Sequence, residues 1–248
     1  MGAGLTVGAA YPDPPFNAMP DDTGLDIDLM TELAGALGES VKFVAYQDAD
    51  GSGRGDFDGI FDRLCAGGYD CVATGVTVTP GRQRRAEFLA PYLISGQALA
   101  VDTGRLPHLQ GVDDLAGLTL GVRRGDTGEP IAERLVADGK AARLRRYDYG
   151  AIGTAISDLS TGHCDAVMAL APVLTELVKK VQRVSPGVQV VQRGLSVEHI
   201  AIAVAPADQT LARRLRDAQA ELEDDGTLQR IRRKWLGNPY LDQSLAAL

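Results

Sequence analysis

Cysteine, histidine and tryptophan are scarce in this chain: three, three and one in 248 residues. Cys65, Cys71 and Cys164 cannot make a disulfide framework. Cys65 and Cys71 flank a short Gly-rich turn at 66–70, which allows one local bridge, and Cys164 in its apolar run reads as a buried small hydrophobe. His108, His163 and His199 are scattered, and no Cys or His pair stands at ligand spacing, which argues against zinc. No run of about 18 apolar residues exists, so no helix is expected to span a membrane. The opening Met1-Gly-Ala-Gly-Leu lacks the basic and apolar regions of an export signal. Basic tracts interleaved with aromatics are also missing, and the net charge is −8, which disfavours electrostatic binding to nucleic acid or anionic lipid. The loop at 48–56 carries Asp48, Asp50 and Ser52 at the spacing of a calcium loop. The twelfth position, where a bidentate Glu is needed, is Gly59, and calcium is rejected there.

What is present is ordinary for a globular protein: 45% hydrophobic and 23% charged residues, in a chain long enough for one large domain or two modest ones. Strand-like and helix-like stretches alternate. Leu5 to Ala9 reads as a strand, and Leu29, Met30, Leu33, Ala34 and Leu37 recur at helical spacing behind the acids Asp26 and Asp28, which favour a helix N-terminus. Val41 to Tyr46 is a strand, Phe57 to Leu64 a helix face, and Tyr69 to Ala73 a strand. A second set follows, with strands expected at 118–122, 143–147, 164–170 and 188–192 and helices at 151–161 and 173–181. This alternation is that of parallel α/β sheets. The run Ile200 to Val204 is expected to return and pair with residues 97 to 101, ahead of two closing helices.

The stretch Thr74-Gly75-Val76-Thr77-Val78-Thr79-Pro80-Gly81-Arg82 concentrates the chemistry. Thr77 and Thr79 offer hydroxyls, Gly75 offers bare backbone, and Arg82 offers a planar fork that fits a carboxylate. Together these would make a small anion site. The plainer alternative has the threonines capping a helix that begins near Pro80, with Arg82 a solvated surface charge.

The stretch resembles the ligand-binding segment of type II periplasmic solute-binding proteins, the polar amino-acid-binding family that serves ABC importers. It carries a hydroxyl residue two before Thr79, Arg82 three after it, then Phe88-Leu-Ala-Pro-Tyr92. Further matches run in order along the chain: Val7-Gly8 with Pro14-Pro15-Phe16, Gly24-Leu-Asp-Ile-Asp-Leu29, Gly67-Gly-Tyr-Asp70, Leu115 to Thr127, Gly162-His-Cys-Asp-Ala-Val167, Asp224-Asp-Gly-Thr227 and Lys234-Trp-Leu-Gly237. The resemblance implies a two-lobed α/β fold, each lobe a mostly parallel sheet flanked by helices, joined by two hinge segments. Lobe 1 would comprise 1–96 and 199–248, with lobe 2 inserted at 97–198. It further implies an extracytoplasmic monomer, with its export signal replaced here by the initiator Met. Such a protein closes over a small polar ligand in the inter-lobe cleft and delivers it to an ABC permease, with no cofactor and no catalysis. Carried over by position, Arg82 would take the ligand's carboxylate, Thr77 would add a hydroxyl and Gly75 a backbone contact. Thr127 would contribute hydroxyl and N–H contacts from lobe 2, and Phe57 would line the pocket.

Three positions depart from the family pattern. The acid that takes a ligand's α-ammonium is replaced by Leu170, an aromatic before the Pro-Pro-Phe run is Asp13, and the hydroxyl-rich turn of lobe 2 is Gly125-Asp126-Thr127. Asp13 and Asp126 are therefore candidates to receive a cationic group while Arg82 holds an anionic one, and each also has an alternative as a turn or capping residue. The rival functional readings are the sensor domain of a membrane receptor or kinase, and a dehydratase on the same fold that uses Asp13, Asp126 or Glu129 as its acid.

Overall fold

A computed structural model describes residues 4–18, 22–46 and 57–237. The loop rejected above as a calcium site lies outside the described residues. The chain divides into two compact units, and in described residues unit 1 comprises 4–18, 22–46, 58–94 and 198–237, while unit 2 comprises 57 and 95–197.

Unit 1 begins with β1 (Leu5–Ala9), α1 (Leu25–Ala36) and β2 (Val41–Ala45), followed by α2 (Gly59–Cys65), β3 (Cys71–Val72), the single-turn α3 (Pro80–Gln83), β4 (Glu87–Phe88) and β5 (Leu93–Ser95), whose last residue belongs to unit 2. Of the face expected on α1, Leu29, Met30, Leu33 and Ala34 are buried, together with Leu25 and Ile27, while Leu37 stands at the C-cap and is half-buried. Unit 2 contains β6 (Gln97–Asp102), β7 (Thr119–Arg123), α4 (Gly128–Ala137), β8 (Arg143–Tyr147), α5 (Ile152–Thr161), β9 (Ala166–Leu170), α6 (Ala171–Val181) and β10 (Val188–Gln192). The chain then returns to unit 1 through β11 (Glu198–Ile200), β12 (Ala203–Val204), α7 (Gln209–Asp224) and α8 (Thr227–Leu236). Lys234 and the Trp235 indole both donate to Asp28 of α1, at 2.6 and 2.7 Å, which pins α8 to α1.

Each five-stranded sheet is mixed. In unit 1 the order is β2-β1-β3-β12-β4, with β1 parallel to both neighbours and β12 antiparallel to β3 and β4. In unit 2 the order is β10-β6-β9-β7-β8, with β7 parallel to β8 and β9, and β6 antiparallel to β9 and β10. Half of the pairings are antiparallel because the strands next to the crossing segments, β6 and β12, enter their sheets against the direction of the βα units. The return segment pairs differently from the expectation above. Ala203 and Val204 lie between Cys71–Val72 and Glu87–Phe88, while residues 97 to 101 are already flanked by β9 and β10. A strand with both edges occupied has no ladder left to offer. β5 and β11, at the ends of the crossing segments, form a separate two-stranded sheet.

Cys65 is exposed and Cys71 buried, and both are free thiols. Burial pushes the Cys71 thiol well up, so it behaves as a packed apolar group. Cys164 precedes β9 rather than lying in it, and is buried as its composition suggests.

Candidate functional site

In unit 1 the segment after β3 is held from both sides. The Thr74 hydroxyl accepts from the Ala10 N–H at 3.0 Å and from the Asn17 amide at 2.8 Å. Further along, Val76 C=O accepts from Ala201 N–H and Val78 N–H donates to His199 C=O. Between these anchors Gly75 takes φ +62°, and a Cβ there would lie 2.7 Å from the buried Phe16 ring. Both facts demand glycine. Gly75→Ala is accordingly expected to lower stability by about 1 to 3 kcal/mol, measured by denaturant unfolding.

The Gly75 N–H donates to Asp26 Oδ2 at 2.6 Å, so it is already engaged and only the carbonyl is left to meet a ligand. Asp26 comes from the Gly24-Leu-Asp motif and is fully buried. Gly24 lets the start of α1 lie close against the Phe16–Asn17 backbone, since a Cβ on it would lie 2.1 Å from the Phe16 carbonyl oxygen. Burial pushes the Asp26 carboxyl up to about 7, and nearby Asp13 adds to the rise. The adjacent Tyr92 phenol and the Gly75 N–H act in the opposite direction.

Thr79 caps α3, its hydroxyl accepting from Arg82 N–H at 3.2 Å, with Pro80 at the first turn. The capping half of the plain alternative therefore holds, whereas its solvated arginine does not: Arg82 is 6% exposed. Its Nε donates to Asp58 Oδ1 at 2.9 Å and its Nη1 to the Thr77 carbonyl at 3.1 Å, with the guanidinium 5.9 Å from the Phe61 ring centre. The Thr77 hydroxyl donates to the buried Glu198 Oε2 at 2.6 Å. Asp13 is buried at the head of a tight turn, where its N–H meets the Asn17 side chain at 3.0 Å and its carbonyl accepts from Phe16 and Asn17.

In unit 2 the turn between β7 and α4 is built around Arg123, which is 5% exposed. Its Nε donates to Asp126 Oδ2 at 2.8 Å, and its guanidinium lies 4.1 Å from the Tyr149 ring centre. Phe57 stacks on that same ring at 5.7 Å. Asp126 is thus neutralised by its own unit, while its carbonyl accepts from Glu129 N–H in the first turn of α4. Thr127 stands at the N-cap position, where its hydroxyl accepts from the buried Gln97 amide at 3.2 Å. Leu170 ends β9 as a buried apolar residue. Arg123, Asp26, Asp58 and Glu198 escaped the reading of the sequence. Only Arg123 left a local signal, a charge ending an apolar strand three residues before an acid.

The model of the bacterial extracellular solute-binding proteins, family 3, matches residues 5–238. The chain belongs to this family. It is 29% identical to the L-cystine-binding protein TcyJ of Escherichia coli strain K12 over 236 residues, which covers 94% of this chain and 82% of that protein. An ancestral arginine-binding protein bound to arginine superposes with a TM-score of 0.82 at 31% identity, over 95% of this chain and 99% of that one. The ancestral amino acid-binding protein AncCDT-1, described as a precursor of cyclohexadienyl dehydratase, gives a TM-score of 0.79 at 28% identity, over 94% and 95% of the two chains. The type II two-lobed α/β fold is that of these structures. Among the described residues no helix is long and apolar enough to cross a membrane, and no cluster of three or more His, Cys, Asp or Glu is arranged to hold a metal.

Proposed function

We propose that the protein is an extracytoplasmic binding component of an ABC importer, not an enzyme, and that it binds an amino acid or an amino-acid-like compound and delivers it, as a monomer, to the permease. The observation that carries this reading is Arg82: a guanidinium 6% exposed, held at the end of a glycine- and hydroxyl-bearing loop by a capped helical turn. Burying a cation is costly unless it is paired. Arg82 meets that cost in part through Asp58 and the Thr77 carbonyl, which also fix its orientation, and a buried fork held in place is what recognition of a carboxylate calls for.

In this reading the ligand's carboxylate joins Asp58 and the Thr77 carbonyl around Arg82. The Gly75 carbonyl, Thr127 and the Phe57 ring supply further contacts. Because the Thr77 hydroxyl proton goes to Glu198, Thr77 offers the ligand an acceptor rather than a donor. Asp126 is neutralised by Arg123, which leaves Asp13 as the acid assigned to a cationic group of the ligand. The names of relatives that bind cystine, arginine, histidine and glutamine support an amino-acid ligand.

A thermal-shift series with L-cystine, L-arginine, L-histidine and L-glutamine tests the assignment. A ligand at about 100 times its dissociation constant stabilises the fold by about 2.7 kcal/mol, or several degrees in Tm. No shift with any of the four, or with their close relatives, would remove the amino-acid reading.

A further inference from the structure

Asp26 has no part in the ligand contacts just described, yet it is fully buried and bonded directly to the loop that makes them. Its Oδ2 accepts the Gly75 N–H at 2.6 Å, and the buried Tyr92 hydroxyl stands beside the same carboxyl, where it favours the ionised form. The anchors on either side of Gly75, the Thr74 hydroxyl and the Val76 carbonyl, join groups that do not titrate. At Gly75 the acceptor does.

We propose that Asp26 is a positioning residue for ligand binding: by gaining or losing a proton it changes its hold on the Gly75 N–H, and through it the placement of the segment from Gly75 to Arg82. This rests on the reading of that segment as the ligand site. The ionised carboxylate makes a charge-assisted bond to Gly75, stronger than the bond a neutral acid accepts. The proton goes to Oδ1, because Oδ2 is held by the Gly75 N–H, and this leaves Oδ2 a neutral acceptor.

The groups that face this carboxyl come from three other segments. Asp13 opposes ionisation, and the Tyr92 phenol and Gly75 N–H favour it. Tyr11, in the same segment as Asp13, has its own hydroxyl pushed up by burial and by Asp22 and Asp26. None of them carries a positive charge, so a carboxyl that burial pushes up to about 7 changes state near neutral pH. The sign follows from linkage. The folded protein holds this proton more tightly than the unfolded chain, so stability falls as pH rises from the ordinary Asp value through about 7. Affinity runs the opposite way, because the ionised form grips Gly75 harder.

The test follows the Gly75 amide by NMR in the ligand-free protein, together with ligand affinity by calorimetry, at about pH 5.5 and about pH 8.5, on either side of the midpoint. The probe is the tightest binder among L-cystine, L-arginine, L-histidine and L-glutamine. In the wild-type protein the Gly75 resonance should move with a midpoint near 7, and affinity should be about fivefold weaker at the lower pH. The near-isosteric Asp26→Asn should abolish both dependences, which ties them to this carboxyl. A Gly75 amide that does not titrate in the wild-type protein overturns the proposal, with or without a folded variant. A titrating amide with pH-independent affinity overturns it as well, as does an Asp26→Asn variant that keeps the wild-type affinity profile. If Gly75 titrates and none of the four amino acids binds at either pH, the coupling between Asp26 and the loop stands and the ligand assignment falls.

Discussion

Arg82→Ala is expected to weaken amino-acid binding by about 2 to 5 kcal/mol, which is about thirtyfold to several thousandfold in Kd. In the proposed site the interaction lost is a charge-assisted pair between a guanidinium that is 6% exposed and the ligand's carboxylate. The cost is large because the ligand's charge would stay in the site without its counterion. The fold itself should be hurt less. Asp58 keeps Arg85 at 3.7 Å, and its side chain is 31% exposed, so water takes part of the load. Arg82→Lys should recover only a fraction of the affinity, since an ammonium cannot present two parallel N–H groups. Calorimetric titration of the three proteins, with Tm as a control for folding, checks the order wild type, lysine, alanine. Equal affinities for wild type and the alanine variant would take the carboxylate contact away from Arg82.

The second large effect is one of stability. Arg123→Ala leaves Asp126 without the guanidinium that neutralises it, in a turn where the two side chains are 6% and 15% exposed. Breaking such a pair from one side costs about 3 to 5 kcal/mol. The loss of the cation 4.1 Å from the Tyr149 ring centre adds to this. Tm should fall by about 10 °C. Removing both charges, as in Arg123→Met with Asp126→Ala, should restore much of the loss, because no buried charge is then left alone. A single-variant cost below about 1 kcal/mol would show the pair to be screened by solvent.

The regular elements were legible where residues carry their own signal. The strands expected at 143–147 and 188–192 are β8 and β10 residue for residue, and the helix expected at 151–161 is α5 within one residue. What the sequence could not convey is which strand pairs with which. Ala203 and Val204 are as apolar as residues 97 to 101, and only the occupation of both edges of β6 sends them to β3 and β4.

The candidate site divides along the same line. Glycine at 75, the Thr79 cap and Pro80 follow from local backbone chemistry and could be read from residue types. The partners of those groups lie far along the chain. Asp26 is 49 residues from Gly75, and Glu198 is 121 residues from Thr77. The acids at 26 and 28 look alike in sequence as first-turn acids. The first is sealed beneath the Gly75 loop, while the second reaches Lys234 and Trp235 at the surface. The pair Arg123–Asp126 was within reach of inspection at a spacing of three, but its burial was not.

The measurement that bears most directly on this account is a calorimetric comparison of the tightest-binding amino acid with the amine that lacks only its carboxyl group, each titrated into the wild-type protein. The account predicts saturable binding of the amino acid and a loss of about 2 kcal/mol or more for the amine, because the ligand's carboxylate would no longer reach Arg82. Equal affinity for the two compounds would contradict it, since the buried fork would then take no part in holding the ligand.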